Sequence, residues 1–310
     1  MSPSLAVDLA GLRLANPLVL ASGIWGCAAE TLVRAARAGA GAVTSKSCSV
    51  APRTGHPNPT VLPWAGGLIN AVGLANPGAA EERLILQEAH KSLIPLGVSL
   101  IASIFGSTPD DYAEAAELVA GAQPEILEVN ISCPNVASEF GLPFALEPDA
   151  AAAVTRAVRA AYAGRVFIKL SPNAVNIVEV AAAAAEAGAD GFTAVNTLGP
   201  GMLIDITARR PILSNRVGGV SGAALRPIAL RCIHDVTRAI GLPVIGTGGV
   251  DSGEAAIQMI MAGASAVGVG SALLGEGDAV FSRLQREMLT IMQHEGIASL
   301  EEIRGCAHAG

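Results

Sequence analysis

A short repeated unit limits the folds open to this chain more than any other feature of its sequence. Ala38-Gly39-Ala40, Ala187-Gly188-Ala189 and Ala262-Gly263-Ala264 each end an amphipathic stretch, and a short apolar run follows each of them. A helix that ends at a glycine and leads into a buried strand has this pattern. Such units connect right-handedly into a parallel sheet. The sequence therefore predicts an α/β fold in which strands and helices alternate.

Eight apolar runs fit the strands of this sheet. They lie near Leu18 to Ala21, Ala42 to Ser45, Val98 to Ile101, Ile126 to Ile131, Val166 to Leu170, Gly191 to Val195, Pro243 to Ile245 and Ala266 to Val269. The segments between them are rich in alanine and suit helices, so we predict a closed (β/α)8 barrel, or TIM barrel. An N-terminal β-hairpin from Ala6 to Leu14 precedes the first unit. No linker or shift in composition divides residues 1–310, and we expect a single domain.

Three connections are longer than plain turns. Lys46 to Gly78 follows the second predicted strand, Ser132 to Glu147 the fourth, and Asn196 to Ser221 the sixth. All three leave the C-terminal ends of strands, which is the face where barrel enzymes carry their active sites. Long structured loops on one face are usually functional, so we expect the site there.

Charge and composition argue against several classes of partner and location. The net charge is -7 and no Lys/Arg cluster is longer than Arg209-Arg210, which argues against nucleic acid. Glycines and serines interrupt the uncharged run from Ala255 to Gly275 at the spacing of a helix, a turn and a strand, which argues against a membrane span. The N-terminus lacks the basic flank and apolar core of a secretory signal, so we expect a soluble cytoplasmic protein. Five cysteines without a CxxC pair fit a reducing compartment and predict no metal or iron–sulfur site in this chain.

The fourth predicted strand ends in residues whose side chains could bind a ligand or take part in catalysis. It runs from Ile126 to Ile131, enters a loop at Ser132, and delivers the amide of Asn130 and the thiol of Cys133 at its C-terminal end. Pro134 holds the preceding cysteine in an extended or turning backbone. This is the position of an active-site residue on a parallel sheet. Most free cysteines are nevertheless small buried hydrophobes, so this stretch alone leaves both interpretations open.

Lysines and glycines at other strand ends indicate an anionic ligand. Lys46 and Lys169 end apolar strands, where a charge is costly unless it meets an anionic or electron-rich group. Either lysine alone is more often a surface residue, but two in one barrel mouth favour a ligand. Gly246 to Gly249 and Gly268 to Ser271 follow the seventh and eighth strands, where the phosphate site of a barrel commonly forms. Glycine also ends strands for steric reasons, so these loops predict a phosphorylated cofactor or substrate without identifying it.

Asparagines are a third feature of the predicted mouth. Asn70, Asn130 and Asn196 lie on or after its strands and loops. Converging amides suit a flat heterocycle that carries N–H and C=O groups, although each alone could cap a turn. The chain has no GxGxxG between a strand and a helix, so we predict no nicotinamide-binding Rossmann site.

Ordered segments along nearly the whole chain carry a resemblance to one family. They are Ala21 to Gly23, Lys46, Asn70 to Gly78, Asn130 to Val136, Lys169 to Asn173, Val195 to Thr197, Gly218 to Gly222, Gly248 to Val250 and Gly270-Ser271. In them the chain resembles the class 1B dihydroorotate dehydrogenases, the catalytic subunits of NAD-linked enzymes of pyrimidine biosynthesis. The resemblance implies a barrel that binds one FMN per chain and oxidises (S)-dihydroorotate to orotate in the de novo synthesis of UMP.

The resemblance also implies a role for each matching residue. It implies that FMN is held by Ser22, Lys46, Ser47, Asn130, Lys169, Val195 and Gly222, and its phosphate by Gly248, Gly249, Gly270 and Ser271. It implies that dihydroorotate is held by Lys46, Asn70, Ala71, Val72, Gly73, Leu74, Asn130, Asn196 and Thr197. Cys133 would be the base that removes the C5 proton while hydride passes from C6 to flavin N5. Lys169 would stabilise negative charge that develops on the reduced flavin.

The sequence departs from the family's pattern at two places. Ser103 stands where the family usually has a flavin-contacting asparagine. Because serine is shorter, we expect it to reach the flavin only with a shifted backbone or through water. The segment from Ala137 to Gly141 lacks the glycine pair that is common there. Both departures affect the expected geometry of the site more than the expected reaction.

Transfer of electrons to NAD requires a second polypeptide, because this chain has neither a cysteine cluster nor a dinucleotide motif. The resemblance implies a homodimer that forms a heterotetramer with an electron-transfer subunit carrying FAD and a [2Fe-2S] cluster. A nearer alternative is a related FMN barrel that acts on another dihydropyrimidine or uses fumarate. An alternative from another class is a phosphate-binding barrel isomerase or a binding protein, in which the glycine loops hold a sugar phosphate.

Overall fold

The computed structural model describes residues 3–131 and 144–309. The strands of this part of the chain are β1 (Val7–Leu9), β2 (Leu12–Leu14), β3 (Leu18–Leu20), β4 (Ala42–Thr44), β5 (Val61–Trp64), β6 (Gly67–Asn70), β7 (Ser99–Ile104), β8 (Ile126–Asn130), β9 (Arg165–Lys169), β10 (Gly191–Ala194), β11 (Leu198–Gly201), β12 (Ile204–Asp205), β13 (Arg210–Pro211), β14 (Gly218–Ser221), β15 (Val244–Thr247) and β16 (Ala266–Val269). Its α-helices are α1 (Ala29–Arg37), α2 (Ala79–Leu93), α3 (Pro109–Ala120), α4 (Pro148–Ala161), α5 (Ile177–Glu186), α6 (Arg226–Ala239), α7 (Gly253–Met261), α8 (Ala272–Glu276) and α9 (Ala279–Glu295).

Eight strands close into a parallel barrel in the order β3-β4-β7-β8-β9-β10-β15-β16. The predicted (β/α)8 architecture and all eight predicted barrel strands are confirmed. The largest difference in bounds is at β7, which continues to Ile104 rather than ending near Ile101. The reason is that Ser103, a polar residue at an inward position, has hydrogen-bond partners inside the barrel, so the strand continues through it.

Local sequence signals determine where the helices begin and end. α3 begins with a capping box, in which the Thr108 hydroxyl accepts from the Asp111 N–H and the Asp111 carboxylate accepts from the Thr108 N–H. α1 ends at Arg37, and Gly39 of the first repeated unit follows its C-cap with a φ of 109°, a conformation that suits glycine. No helix within residues 3–131 and 144–309 is long and apolar enough to cross a membrane.

The N-terminal hairpin closes one end of the barrel. β1 and β2 pair antiparallel, as predicted, and they bring Leu9 and Leu14 into contact with side chains inside the barrel. The interior residues at this end are Val19, Ala42, Ile101, Ile126, Phe167, Ile245 and Ala266. This apolar plug fills the N-terminal end of the barrel and leaves the C-terminal end for a site.

The long connections after β4 and β10 join each other. β5 and β6 from the first connection and β11 and β14 from the second form one antiparallel sheet in the order β11-β14-β6-β5. Gly219 of β14 pairs with Asn70 of β6. The sequence predicts long connections at this face without indicating that they pair, and the structure joins two of them into one insertion sheet beside the barrel mouth. Most of the predicted loop after β8 lies outside the described residues.

Candidate active site

A cavity of about 310 Å³ lies at the C-terminal ends of the barrel strands and borders the insertion sheet. All the residues that the resemblance assigns to FMN line it: Ser22, Lys46, Ser47, Asn130, Lys169, Val195, Gly222, Gly248, Gly249, Gly270 and Ser271. Of those assigned to dihydroorotate, Asn70, Val72, Gly73, Leu74, Asn196 and Thr197 also line it, in addition to Lys46 and Asn130. The fold therefore gathers residues from distant parts of the chain at one mouth.

Among the described residues with assigned roles, Ala71 does not line the cavity. Ala71 is fully buried and packs with Ile69 and Leu213 under the insertion sheet. Its neighbours Asn70 and Val72 line the cavity, because successive residues of an extended segment point to opposite sides. Cys133 lies outside the described residues, as does the segment from Ala137 to Gly141.

The loop after β15 places main-chain atoms of two glycines, without side chains, at the cavity wall. Gly248 and Gly249 have φ values of 137° and 74°, which side chains rarely allow. A Cβ atom added at Gly248 would lie 2.6 Å from the Ala229 Cβ, and one at Gly249 would lie 2.6 Å from the Gly222 carbonyl oxygen. Both conformation and space therefore strongly favour glycine at these two positions. Such a loop suits close approach of a phosphate to main-chain N–H groups.

The barrel interior changes from apolar to polar between the plug and the cavity. Inward residues alternate along β8: Ile126 belongs to the plug, Glu128 follows, and Asn130 lines the cavity. Glu128 Oε1 lies 3.5 Å from Lys169 Nζ and accepts a hydrogen bond from the Ser103 hydroxyl at 3.1 Å. Glu128 Oε2 accepts one from the Thr193 hydroxyl at 2.8 Å. The carboxylate thus forms the centre of a polar layer beneath the cavity.

A chain of hydrogen bonds connects this layer with the cavity wall. Asn196 Nδ2 donates to Asn130 Oδ1 at 3.4 Å, and Asn130 Nδ2 donates to the Ser47 hydroxyl at 3.2 Å. The hydroxyls of Ser47 and Ser103 are hydrogen-bonded at 2.8 Å. Because Ser103 donates onward to Glu128, each donor in the chain points toward the carboxylate, which orders the amides at the cavity.

Ser103 therefore has a role in the structure that its sequence position did not suggest. It is buried and is not among the cavity-lining residues. Its hydroxyl is hydrogen-bonded to that of Ser47, which does line the cavity. The serine connects Ser47 to Glu128 rather than presenting its own side chain to the cavity.

A second buried carboxyl group lies near Lys46. Glu82 of α2 is fully buried, and this burial raises its pKa from the ordinary value of 4.5 to about 7, against the opposing effects of the Ser45 hydroxyl and the Lys46 ammonium. Burial, and to a smaller extent Glu82, raises the pKa of the neighbouring Cys48 thiol. Cys27 is exposed as a residue, and partial desolvation of its thiol raises the pKa while Lys46 opposes this.

Reasoning from sequence assigned no role to Glu128 or Glu82, although both leave a signal. Glu128 is a charge inside an otherwise apolar strand. Glu82 falls on the apolar stripe of α2 that contains Ala79, Leu86 and Ala89. A charge at a position whose spacing predicts burial indicates a partner or a shifted pKa.

The fold and the site define the chain as a (β/α)8-barrel protein with a glycine- and lysine-lined cavity at its C-terminal mouth. Residues 4–292 match the family model described as dihydroorotate dehydrogenase. The chain belongs to the dihydroorotate dehydrogenase family, and it is an oxidoreductase. Members of this family are flavin-dependent, so the cofactor of this chain is a flavin.

Similar proteins confirm the resemblance to the class 1B catalytic subunits. The relative in Methanothermobacter thermautotrophicus, named dihydroorotate dehydrogenase B (NAD(+)), catalytic subunit, is 42% identical over 304 residues and covers 98% of both chains. A relative with the same name in Bacillus pumilus is 40% identical over 302 residues, which are 97% of this chain and 96% of that one. The solved structure of dihydroorotate dehydrogenase from Eimeria tenella superposes with a TM-score of 0.86 at 24% identity, covering 99% of this chain and 89% of that chain, and it supports the fold alone.

Proposed function

We propose that this chain is the FMN-binding catalytic subunit of an NAD-linked dihydroorotate dehydrogenase, with Cys133 as the base. The observation that carries the proposal is the cavity at the barrel mouth. Its wall combines two lysines, three asparagine amides and a side-chain-free glycine loop. Orotate is a flat, carboxylated pyrimidine, and a site for it needs a cation for the carboxylate and amides for the ring edges.

The residues of the cavity fit FMN by their chemistry. The glycine loop after β15 and the Gly270-Ser271 segment offer main-chain N–H groups to a phosphate. Lys169 offers a positive charge and Asn130 an amide to a polar ring system. When bound, FMN supplies a hydride acceptor beside the substrate.

The substrate is proposed to lie against residues that the fold already holds in place. Asn70 Nδ2 donates to the Gly219 carbonyl oxygen at 3.4 Å, which connects the β6 end of the cavity with β14. Asn130 and Asn196 are linked by the hydrogen bond described above. Lys46, at the end of β4, is proposed to bind the substrate's carboxylate. Preformed partners of this kind reduce the entropy that is lost on binding.

The proposed base follows Asn130 by three positions in the chain. A thiol of ordinary pKa, about 8.5, is a workable general base when its site lowers that value or the pH is mildly alkaline. In this proposal Cys133 takes the C5 proton of dihydroorotate, while Lys46 and the asparagine amides orient the ring.

The proposal extends to the assembly. We infer a homodimer that joins an electron-transfer subunit carrying FAD and a [2Fe-2S] cluster in a heterotetramer. The support is that several relatives are named catalytic subunits of NAD(+)-linked enzymes, and that the sequence has neither a CxxC pair nor a dinucleotide motif. Size measurement after co-expression with the candidate partner tests this. A lone dimer that reduces fumarate efficiently would contradict the NAD-linked assignment.

The test of the reaction uses the colour of the purified protein. We expect a yellow protein with one FMN per chain, whose flavin bleaches when (S)-dihydroorotate is added without oxygen. Dihydrouracil is the matched control and should bleach it far more slowly. A protein that stays colourless after saturation with FMN and desalting would contradict the assignment of FMN, and bleaching by dihydrouracil alone would support another dihydropyrimidine as substrate.

A further inference from the structure

Glu128 and Lys169 form an ion pair that is almost sealed from solvent. Their side chains are 3% and 7% exposed, and Glu128 Oε1 lies 3.5 Å from Lys169 Nζ. Removing one partner of such a pair leaves a buried charge without compensation, which is strongly unfavourable. The pair therefore stays together while Lys169 also lines the cavity.

Neighbouring strands hold the carboxylate in one orientation. Ser103 of β7 donates to Oε1, and Thr193 of β10 donates to Oε2. Lys169 of β9 lies between these strands and is aligned with Thr193. A lysine side chain has four flexible methylenes, and fixing its ammonium needs a partner that cannot itself rotate. Glu128 meets that requirement because hydroxyls on both sides hold it.

We propose that Glu128 is a positioning residue, which fixes the Lys169 ammonium at the cavity wall and moderates the positive charge that the bound flavin experiences. The inference rests on the proposed function, because it concerns a flavin held beside Lys169. An opposite charge at this distance attracts an ammonium group strongly in a poorly solvated site, so Glu128 keeps the Lys169 ammonium against its carboxylate. A neutral residue of the same shape leaves the ammonium free to approach the flavin, which favours the reduced, more negatively charged form.

The test compares the midpoint potential of the bound flavin in the holoenzyme and its variants, measured against a reference dye. We expect Glu128→Gln to shift the ratio of reduced to oxidised flavin at a fixed potential by about tenfold toward the reduced form, as one charge partner commonly shifts a neighbouring equilibrium. Glu125→Gln is the matched control. It removes a carboxylate just before β8, where Glu125 pairs with His90 on the far side from the cavity, and it should leave the ratio unchanged.

A double-mutant cycle with Lys169→Met separates positioning from a direct effect. If Glu128 acts through Lys169, the glutamine substitution shifts the ratio by less than about threefold in the Lys169→Met background. An equal shift in both backgrounds, or no shift in Glu128→Gln, overturns the inference. Glu128→Asp keeps the charge but withdraws it by one methylene. It should give a smaller shift in the same direction, and it decides the question if the glutamine variant does not fold.

The outcomes also separate this inference from the proposed function. A wild-type protein that binds flavin and is bleached by dihydroorotate, combined with an unshifted Glu128 variant, overturns only the role of Glu128. A wild-type protein that binds no flavin overturns both.

Discussion

Replacing Glu82 with glutamine is expected to remove a pH dependence from the free energy of unfolding. Glu82 is fully buried on α2, and neither of its carboxyl oxygens makes a hydrogen bond of ordinary geometry with the described residues. The groups that act to lower its pKa are the Ser45 hydroxyl and the Lys46 ammonium. Desolvation is the dominant effect and raises its pKa to about 7.

The sign of the effect follows from the pKa of Glu82, which is higher in the folded chain than in the unfolded chain. Below pH 4.5 the carboxyl group of Glu82 is protonated in both the folded and the unfolded chain, and stability carries no penalty. Between pH 4.5 and about 7 it ionises in the unfolded chain but keeps its proton in the folded chain, so the free energy of unfolding falls as the pH rises. The two pKa values differ by about 2.5, which corresponds to about 3 kcal/mol lost above pH 7.

Urea unfolding at pH 5 and pH 8 measures this effect. Glutamine has the same shape but does not titrate. The difference in the free energy of unfolding between Glu82→Gln and the wild type should therefore be about 2 to 3 kcal/mol more favourable to the variant at pH 8 than at pH 5. Glu81→Gln is the matched control, because Glu81 is the exposed neighbour on the same helix. A wild-type-to-variant difference that is the same at pH 5 and pH 8 within about 0.5 kcal/mol would refute the assignment of a buried, titrating carboxyl group.

Three further predictions concern the base, the glycine loop and the plug. Cys133→Ala should slow flavin reduction by dihydroorotate about 10²-fold or more while FMN stays bound, and an unchanged stopped-flow rate would contradict its role as base. Gly248→Ala places a Cβ 2.6 Å from the Ala229 Cβ at a φ of 137°, which displaces the loop. We expect FMN affinity to fall about tenfold in a fluorescence titration. Unchanged affinity would argue against a phosphate at this loop. Phe167→Ala leaves a cavity in the apolar plug and should lower the free energy of unfolding in urea by about 3 to 5 kcal/mol. A decrease below about 1 kcal/mol would contradict the packing of Phe167 in the plug.

The barrel could be predicted because its signals are local and repeat. Most barrel strands are apolar runs close to a glycine or a polar residue, and several helices have an apolar stripe or a capping residue that the sequence displays. The hairpin could be predicted for the same reason. The pairing of β14 with β6 could not, because nothing in either connection of the chain identifies the other as its partner across about 150 residues.

The site could be predicted as a set of residue types at strand ends, since parallel strands carry their C-terminal ends to one face. Its detailed orientation could not. Ala71 lies within a matching motif, yet its side chain turns away from the cavity into the insertion sheet. Ser103 lies at a position expected to approach a flavin, yet its hydroxyl is used inside the barrel. Which way a side chain points depends on pairing partners that come from distant segments.

Glu128 and Glu82 do not line the cavity, but both influence the charge of a lysine that does. Lys46 and Lys169 both line the cavity, and each has a carboxyl group close behind it. Glu128 is held by two hydroxyls and an ion pair, so its negative charge acts directly on Lys169. For Glu82 the Ser45 hydroxyl and Lys46 offset only part of the desolvation, so it keeps its proton up to about pH 7 and adds less negative charge beside Lys46. Near neutral pH the carboxyl groups therefore moderate the two lysines unequally. The lysine proposed to bind the substrate's carboxylate therefore receives less compensation from the carboxyl group behind it than the lysine proposed to lie beside the flavin.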